Sequence, residues 1–272
     1  MLGVEAGASA VLFYGSNLRT DSLEGVLDFY VLLPGPQVDR IWPKVSYREW
    51  ETGSEVLRAK IATMSLDKFA EAARGDSRDT TIWTRFVQPS ALVWVSDDDA
   101  WAEAARAIED AARTASCFAA VLGPSMGMPE DFWRALFQAT YRAEFRVEKP
   151  GREDSILSIN AEHFDGLLVQ AWDAAGIAHD HENGQLVPLI SAEQREKIRA
   201  QWKLRERLGK PLNIARLAKA ATTFEGAARY GAWKLERHTG IALEVTPFRE
   251  KHPLLAMPGA ALELWREKRR RR

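Results

Sequence analysis

Four short apolar runs in the first 96 residues have the length and composition of β-strands. They cover residues 10–14, 26–33, 56–64 and 91–95. Runs of this length that are rich in branched and aromatic side chains and bounded by turn-forming residues are typical of strands, and helical patterns lie between and after them. The opening of the chain therefore predicts a mixed α and β unit.

The pattern changes to long helical segments after residue 97. Residues 97–123 begin with three acidic residues, are rich in alanine and end at a glycine, which favours one long helix. Residues 129–146 begin with Pro129 and Glu130, both suited to a helix start, and predict a second helix. The middle of the chain is therefore expected to be helical.

The last hundred residues predict a turn-rich connection followed by two basic helical segments. Residues 173–188 form the connection, and the helical patterns cover 191–209 and 213–240. Ser191 precedes Gln194 by three residues, which is the spacing of a capping box at a helix start.

Together these patterns predict an α+β protein with a mixed sheet and flanking helices, followed by a helical domain and a basic C-terminal helical region. The predicted units are residues 1–96, 97–172 and 173–272.

Composition restricts the class of protein. The chain has 272 residues, of which 46% are hydrophobic, enough for a substantial core. No apolar run approaches the roughly 20 residues that cross a bilayer, and the start of the chain lacks a targeting pattern. We therefore expect a cytoplasmic protein, with a bacterial host favoured by its Ala, Arg and Trp content. Cys117 is the single cysteine, which predicts a buried, inert thiol.

The net charge of −1 conceals a strong asymmetry. Residues 1–190 contain 17 Lys and Arg against 29 Asp and Glu, a net −12, whereas residues 191–272 contain 20 against 9, a net +11. A basic C-terminal part indicates a polyanionic partner, either nucleic acid or an anionic lipid surface. The alternative is that it docks onto the acidic part of the same chain.

The first two predicted strands contain the candidate chemistry. The first strand ends in Gly15-Ser16, whose backbone N–H groups and hydroxyl suit an anion such as a triphosphate. Asp28 interrupts the next apolar strand, and a carboxylate there needs a metal ion, a basic partner or an exposed strand end to compensate its burial. Mg²⁺ with a nucleotide phosphate would supply this; the alternative is a simple turn followed by a strand-edge Asp.

This stretch resembles the nucleotidyltransferase superfamily, whose signature is Gly-Ser, a spacer and an acidic residue on the next strand. More narrowly, the chain is similar to the mitochondrial-type phosphatidate cytidylyltransferases of the translocator assembly and maintenance family, which make CDP-diacylglycerol from CTP and phosphatidic acid. The matching segments occur in the family's order: FYGSNLR and LDFYVLL, then AKIATMSLDKF, WTRFVQPSALV, ATYRAEFR with the residues after it, and ARYGAWKLERH.

The resemblance implies a set of site residues. For CTP binding these are Tyr14, Gly15, Ser16, Asn17 and Ser65; for catalysis, Asp28 and Lys60, with Asp28 also the Mg²⁺ ligand; for phosphatidate binding, Arg85, Tyr141 and Arg146. The chain departs from the family pattern at three positions of this region, since Asn17 replaces a glycine, Gln88 a lysine and Glu144 an aspartate. Tyr30 stands where the general superfamily pattern has a second acid.

The C-terminal segment is similar to a basic, tyrosine-bearing helix that the family is thought to place on the membrane. Interfacial aromatic residues and cations combine in it: Arg229, Tyr230, Trp233, Lys234 and Arg237. We therefore expect peripheral association with the inner face of the cell membrane, and no nucleic-acid partner. A nucleotidyltransferase acting on RNA or another small substrate, and an inactive nucleotidyltransferase-fold membrane adaptor, stay open as alternatives. His179 and His181 are interpreted as polar surface residues rather than a metal site.

Overall fold

The computed structural model describes residues 2–20, 22–52, 55–144 and 151–251, with a few positions between 256 and 270. Its strands, in chain order, are β1 (Ala10–Tyr14), β2 (Leu27–Leu33), β3 (Lys44–Thr52), β4 (Glu55–Ser65), β5 (Ser90–Val95), β6 (Ala178–Glu182) and β7 (Gln185–Leu189). Its helices are α1 (Leu2–Glu5), α2 (Ser16–Thr20), α3 (Leu66–Ala73), α4 (Thr81–Phe86), α5 (Asp98–Leu122), α6 (Pro129–Glu144), α7 (Arg152–Ile159), α8 (Ala161–Phe164), α9 (Leu167–Ala175), α10 (Ala192–Thr223), α11 (Ala227–Thr239) and α12 (Pro247–Lys251).

Five strands form one mixed sheet, in the order β3-β4-β2-β1-β5. Strands β2 and β4 are parallel, and the other neighbouring pairs are antiparallel. The α+β class and the four predicted strands are confirmed. Strand β3 was not predicted, because its sequence KVSYREWET mixes charged and apolar side chains at the edge of the sheet.

The helices cover one face of this sheet. Side chains alternate between the two faces of a strand, so Leu12 and Leu32 point to the helical layer while Val11 and Val31 belong to a smaller cluster on the opposite face. Helix α5 lies at the centre of the helical layer, in contact with α3, α4, α6, α9 and α10. The helical face therefore carries the main core.

Alanine spacing explains how α5 can contact so many neighbours. Ala104, Ala107, Ala111 and Ala115 recur every three or four residues and are fully or almost fully buried. Such spacing places them on one side of the helix, and small side chains let other elements approach closely. The helix begins as predicted, since Asp97 accepts a hydrogen bond from the Ala100 N–H at 2.8 Å.

One hydrophobic core crosses both predicted domain boundaries. It runs from Leu12 in the sheet through Phe118 and Trp172 to Trp202 on α10. The predicted boundary after residue 96 lies between β5 and α5, and the one after residue 172 lies inside α9. The three units divide the sequence but share this core.

Two predictions about the last third of the chain were wrong. The predicted turn-rich connection contains the hairpin of β6 and β7. Helix α10 continues through Pro211 to Thr223, whereas the predicted second helix is interrupted before Gly226. Proline removes one helical hydrogen bond, and contacts on both sides of Pro211 offset that loss: Arg205 donates to the carbonyls of Gly75 and Ser77, and Arg216 pairs with Asp79. The capping box of Ser191 and Gln194 is confirmed.

Candidate functional site

Three predicted site residues lie in one row across the sheet. Tyr14 at the end of β1 is opposite Asp28 on β2, and Asp28 is opposite Lys60 on β4. Residues opposite one another in a sheet point to the same face, and neighbouring strands are about 4.8 Å apart. The row therefore brings an aromatic ring, a carboxylate and an amine together on the helical face.

The position of Asp28 follows from strand alternation. Asp28, Tyr30 and Leu32 share the helical face of β2, while Phe29 and Val31 point to the other side. Leu32 and Tyr30 are buried beneath the helices, and Asp28 comes at the start of the strand, where this core ends. The carboxylate is thus placed at the open edge of the core.

The Gly15 turn and the Asp28 carboxylate face one another. Gly15 has φ of +94°, and a Cβ at this position would lie 3.1 Å from Asp28 Oδ2. The backbone at Gly15 therefore lies so close to the carboxylate that any larger residue would crowd it. Ser16 follows immediately, exposed at the first position of α2.

Arg85 reaches the same site from α4. Its Nη1 donates a hydrogen bond to the Tyr30 hydroxyl at 2.9 Å, and its guanidinium carbon lies 5.3 Å from the centroid of the Tyr14 ring. Tyr30, which stands where the superfamily has a second acid, here anchors a cation.

These elements enclose a cleft of about 270 Å³. Its lining residues are Tyr14, Gly15, Ser16, Arg19, Asp28, Lys60, Arg85, Gln88, Pro89, Tyr141, Arg152 and Ile156. Four of them are cationic and Asp28 is the single acid, although residues 1–190 as a whole carry a net charge of −12. The cleft is therefore a local concentration of positive charge suited to a polyanionic ligand.

Burial and charge act in opposite directions on Asp28. Burial raises its pKa above the ordinary value, and the positive charges of Lys60, Arg85 and Arg19 offset part of that rise. Burial also lowers the pKa of Arg19, and the nearby charge of Arg152 lowers it further. Arg19 and Arg152 both line the cleft, and the repulsion between their charges is offset in part by Asp28. A bound phosphate would offset it further.

Sequence reasoning did not identify Arg19 and Arg152. A local signal existed for Arg19, which follows Ser16 by three residues and so lies on the same side of a short helix. Arg152 had no such signal, because it is the first residue of α7 and reaches the cleft only through the packing of α7 against α6.

Two predicted CTP ligands lie away from the cleft. The amide nitrogen of Asn17 donates to the carbonyls of Ser22 at 2.9 Å and Glu24 at 2.6 Å, which shapes the loop after α2. Ser65 is the N-cap of α3, where its hydroxyl accepts from the Lys68 N–H at 3.2 Å. It lies five residues beyond Lys60 on β4, about 16 Å along the strand. Arg146 lies outside the described residues.

Among the described lining residues of the cleft, Asp28 is the one carboxylate that a metal ion could bind. No cluster of three or more His, Cys, Asp or Glu able to hold a metal occurs among the residues with described positions. Mg²⁺ in nucleotide sites is often held by one or two carboxylates together with phosphate oxygens. Asp28 fits that role, because its carboxylate lines the cleft together with the Gly15-Ser16 turn and the cationic side chains that suit phosphate oxygens.

The predicted membrane helix, α11, packs on the edge of the sheet. The Tyr47 N–H donates to the Glu225 carbonyl at 2.8 Å just before α11, and the rings of Tyr47 and Tyr230 are 5.4 Å apart. Trp233 contacts the Arg58 guanidinium at 5.6 Å from its ring centroid. In the described part of the chain, no helix combines the length and apolar character needed to cross a bilayer. Most of the basic run at 266–272 lies outside the described residues.

Comparison with known proteins adds no family assignment. No protein-family model matches the chain, and no curated protein matches it significantly.

Proposed function

We propose that this protein is a magnesium-dependent nucleotidyltransferase that transfers the cytidylyl group of CTP to phosphatidate. The observation that carries the proposal is the cleft, in which a glycine turn and a serine meet one carboxylate and four cationic side chains. A triphosphate with its metal is the kind of ligand that needs all of these groups at once.

The cations would bind the triphosphate. Arg19 and Arg152 repel one another in the free protein, and phosphate oxygens between them would convert that repulsion into attraction. Ser16 is exposed at the cleft, and its hydroxyl, which donates to Asn17 Oδ1 at 3.5 Å in the free protein, would donate to a phosphate oxygen instead. Lys60 and Arg85 flank Asp28 and would neutralise charge as it shifts toward the leaving group.

The reaction needs no nucleophile from the protein. An oxygen of the phosphatidate phosphate forms a bond to the α-phosphorus of CTP, the bond from that phosphorus to the β-phosphate oxygen breaks, and pyrophosphate leaves with the electron pair. The cleft residues hold the two phosphates in line and screen their mutual repulsion. Mg²⁺ bound to Asp28 and the triphosphate would supply further charge neutralisation.

The choice of CTP and phosphatidate depends on the sequence resemblance. The segments FYGSNLR, LDFYVLL and WTRFVQPSALV, which match the family, contribute Tyr14, Asp28 and Arg85 to the same cleft. That the first two segments, on neighbouring strands, meet the more distant third segment at one cleft supports the resemblance as a functional one.

The direct test is turnover by the purified full-length protein. We expect CTP, Mg²⁺ and phosphatidate vesicles to give CDP-diacylglycerol and pyrophosphate, and Asp28→Ala to abolish the products while circular dichroism shows the fold retained. Glu162→Ala is a matched control, since this exposed carboxylate lies on α8 outside the cleft. Extension of RNA without lipid product would contradict the proposed acceptor, and full activity of Asp28→Ala would contradict the proposed metal ligand.

One observation favours a second candidate, a nucleotide-binding membrane adaptor without turnover. Among the described lining residues of the cleft, Asp28 is the single carboxylate, and Tyr30, which stands where the superfamily has a second acid, accepts a hydrogen bond from Arg85. Such a protein would bind CTP and vesicles in the same experiment but release no pyrophosphate.

A further inference from the structure

A second cavity of about 490 Å³ adjoins the cleft. Its lining comes from α2, from the loop before β2 and from α11: Ser16, Asn17, Thr20, Ser22, Glu24, Gly25, Val26, Tyr230, Trp233, Lys234 and Arg237. Ser16 lines both the cleft and this cavity. A ligand in one compartment would therefore lie beside a ligand in the other, as a reaction between two substrates requires.

The loop side of this cavity is firmly built. The two hydrogen bonds of Asn17 hold the carbonyls of Ser22 and Glu24, and the Glu24 N–H donates to the Ser22 hydroxyl at 3.1 Å. Gly25 has φ of +92°, and a Cβ there would lie 3.2 Å from a guanidinium nitrogen of Arg237. Loop and helix thus meet closely, with Arg237 at the contact.

The helix side presents cations on an aromatic support. The Arg237 guanidinium lies 5.5 Å from the Trp233 ring centroid, and the Lys234 amine lies 5.8 Å from that of Tyr230. Trp233 also contacts Arg58 and stacks near Tyr230, with centroids 6.3 Å apart. Because these groups already surround its ring, Trp233 orients Arg237 rather than offering a surface for a nucleobase.

Charge and exposure indicate the kind of ligand. Lys234 and Arg237 are both exposed, and Glu24 is the only acid among the described residues that line the cavity. Leu23 lies between the lining residues Ser22 and Glu24 and is 60% exposed, so the loop that borders the cavity carries an exposed apolar side chain. Two cations in the cavity and an apolar residue on its bordering loop suit a phosphate monoester attached to an apolar tail.

Resting on the proposed function, we propose that this cavity binds the phosphate monoester of the acceptor, with Lys234 and Arg237 as its cationic ligands. Helix α11 then belongs to the substrate site as well as to any membrane surface. The phosphate group is shared by a lipid headgroup and by free glycerol 3-phosphate, and the apolar Leu23 favours the lipid.

The test measures binding without turnover, in the full-length protein. Titration calorimetry would use three probes: dihexanoyl phosphatidate, which is soluble, glycerol 3-phosphate, and CTP with Mg²⁺. We expect Lys234→Gln/Arg237→Gln to weaken dihexanoyl phosphatidate binding about tenfold or more, because two charge-assisted contacts are lost, while CTP binding changes less than about twofold. Glu24→Gln should tighten phosphatidate binding, since it removes the opposing carboxylate.

A matched control is Lys203→Gln/Arg207→Gln, which removes the same charge from exposed positions on α10. Glycerol 3-phosphate binding as tight as phosphatidate binding would contradict the lipid source. The proposal fails if only CTP affinity falls, which would make the cavity a nucleoside site, or if vesicle binding falls with short-chain binding unchanged, which would make α11 an anchor alone. Because binding is measured directly, an inactive protein that binds dihexanoyl phosphatidate would refute the proposed transferase activity and leave this site standing.

Discussion

Asp28, the carboxylate of the candidate site, is held in surroundings that disfavour its ionised form. Burial raises its pKa, so the folded protein holds the Asp28 proton more tightly than the unfolded chain does. The free energy of unfolding therefore decreases as pH rises from the ordinary Asp range, about 3.9, through the raised pKa. At neutral pH the ionised carboxylate destabilises the free protein, a cost offset when a ligand cation is bound.

We expect Asp28→Asn to be more stable than the wild type at pH 7, because the amide has no charge to desolvate. The gain should disappear near pH 3, where Asp28 is protonated in both states. Turnover should fall by at least about a hundredfold, as for the loss of a group that acts on developing charge. Urea unfolding at pH 7 and at pH 3 measures the change in the free energy of unfolding. If Asp28→Asn were stabilised equally at both pH values, ionisation of Asp28 would not be the cause.

Arg19 and Arg152 carry like charges that repel one another in the free protein. Removing one of these charges should stabilise the free protein but weaken the binding of a polyanion. Arg152→Gln is therefore expected to raise Tm slightly and to weaken CTP binding by about tenfold. Arg142→Gln, an exposed cation on α6, is the matched control and should change neither quantity. A lower Tm for Arg152→Gln would show that this residue is structural.

A carboxylate within an apolar strand and a glycine at a strand end are visible without coordinates, so the sequence alone singles out Gly15 and Asp28. The structure places both at the candidate cleft, and their roles there stay predictions. Asn17 was expected to bind CTP because of the family resemblance, whereas its amide nitrogen donates to the loop carbonyls. The orientation of a side chain at the end of a strand depends on the conformation of the following loop. The hydrophobic pattern of the sequence does not predict that conformation.

Among the elements, α11 depends on one close contact. Gly226 has φ of +79°, and a Cβ there would lie 2.5 Å from the backbone carbonyl oxygen of Tyr47. That oxygen is part of the backbone of edge strand β3, so it cannot move away through a change of side-chain rotamer. The approach of α11 to the sheet therefore requires glycine at position 226.

Gly226→Ala is expected to separate α11 from β3, since the new methyl group meets backbone and the left-handed conformation is unfavourable for alanine. Hydrogen exchange of amides 227–239 should accelerate by about tenfold or more, as for a helix that has lost its docking surface. Gly231→Ala is a close control, because a Cβ there has no neighbour within 4 Å among the described residues. Unchanged exchange in Gly226→Ala would mean that the helix can dock without this contact.

The elements that sequence patterns failed to predict share a physical cause. Strand β3 and strand β6 are polar and lie at an edge or on the surface, and strand β7 is a five-residue run in which only Leu186 and Pro188 are buried. Pairing with a neighbouring strand contributes much of their stability. Helix α10 passes through Pro211 because contacts with other elements hold both of its halves. Periodicity reports burial of a face, so structure that depends on a partner strand or on docking leaves no comparable signal.

Across the whole molecule, part of the charge asymmetry is used internally. The basic α10 joins the acidic body through Arg216 with Asp79 and through Lys219 with Asp39, the second pair at 3.1 Å. Docking onto the acidic part of the chain, one of the two alternatives from the sequence, is therefore seen for these residues. Other cations of α10, among them Lys203 and Arg207, are exposed.

The buried pair of Asp79 and Arg216 has a defined pH dependence. Burial alone would raise the Asp79 pKa, but Arg216 and the hydrogen bond from the Thr81 N–H, at 2.5 Å, outweigh it and hold the pKa below its ordinary value. Asp79 therefore contributes stability that is complete above the ordinary Asp range, about pH 4, and is lost as pH falls through the lowered pKa.

Arg216→Ala should lower the free energy of unfolding by about 3 kcal/mol at pH 7, because a buried carboxylate loses its partner. Without Arg216 the Asp79 pKa is expected to rise, so the difference from the wild type should narrow as pH falls first through the pKa of the variant and then through the lowered pKa of the wild type. Arg199→Ala is the control, an exposed cation paired with Glu196 on the same helix, and should change stability by less than about 1 kcal/mol. Urea unfolding across this pH range measures the difference in the free energy of unfolding. A difference that stays constant with pH would show that Arg216 stabilises α10 through packing rather than through charge. The packing partner would be Trp42, whose ring centroid lies 4.7 Å from the Arg216 guanidinium carbon.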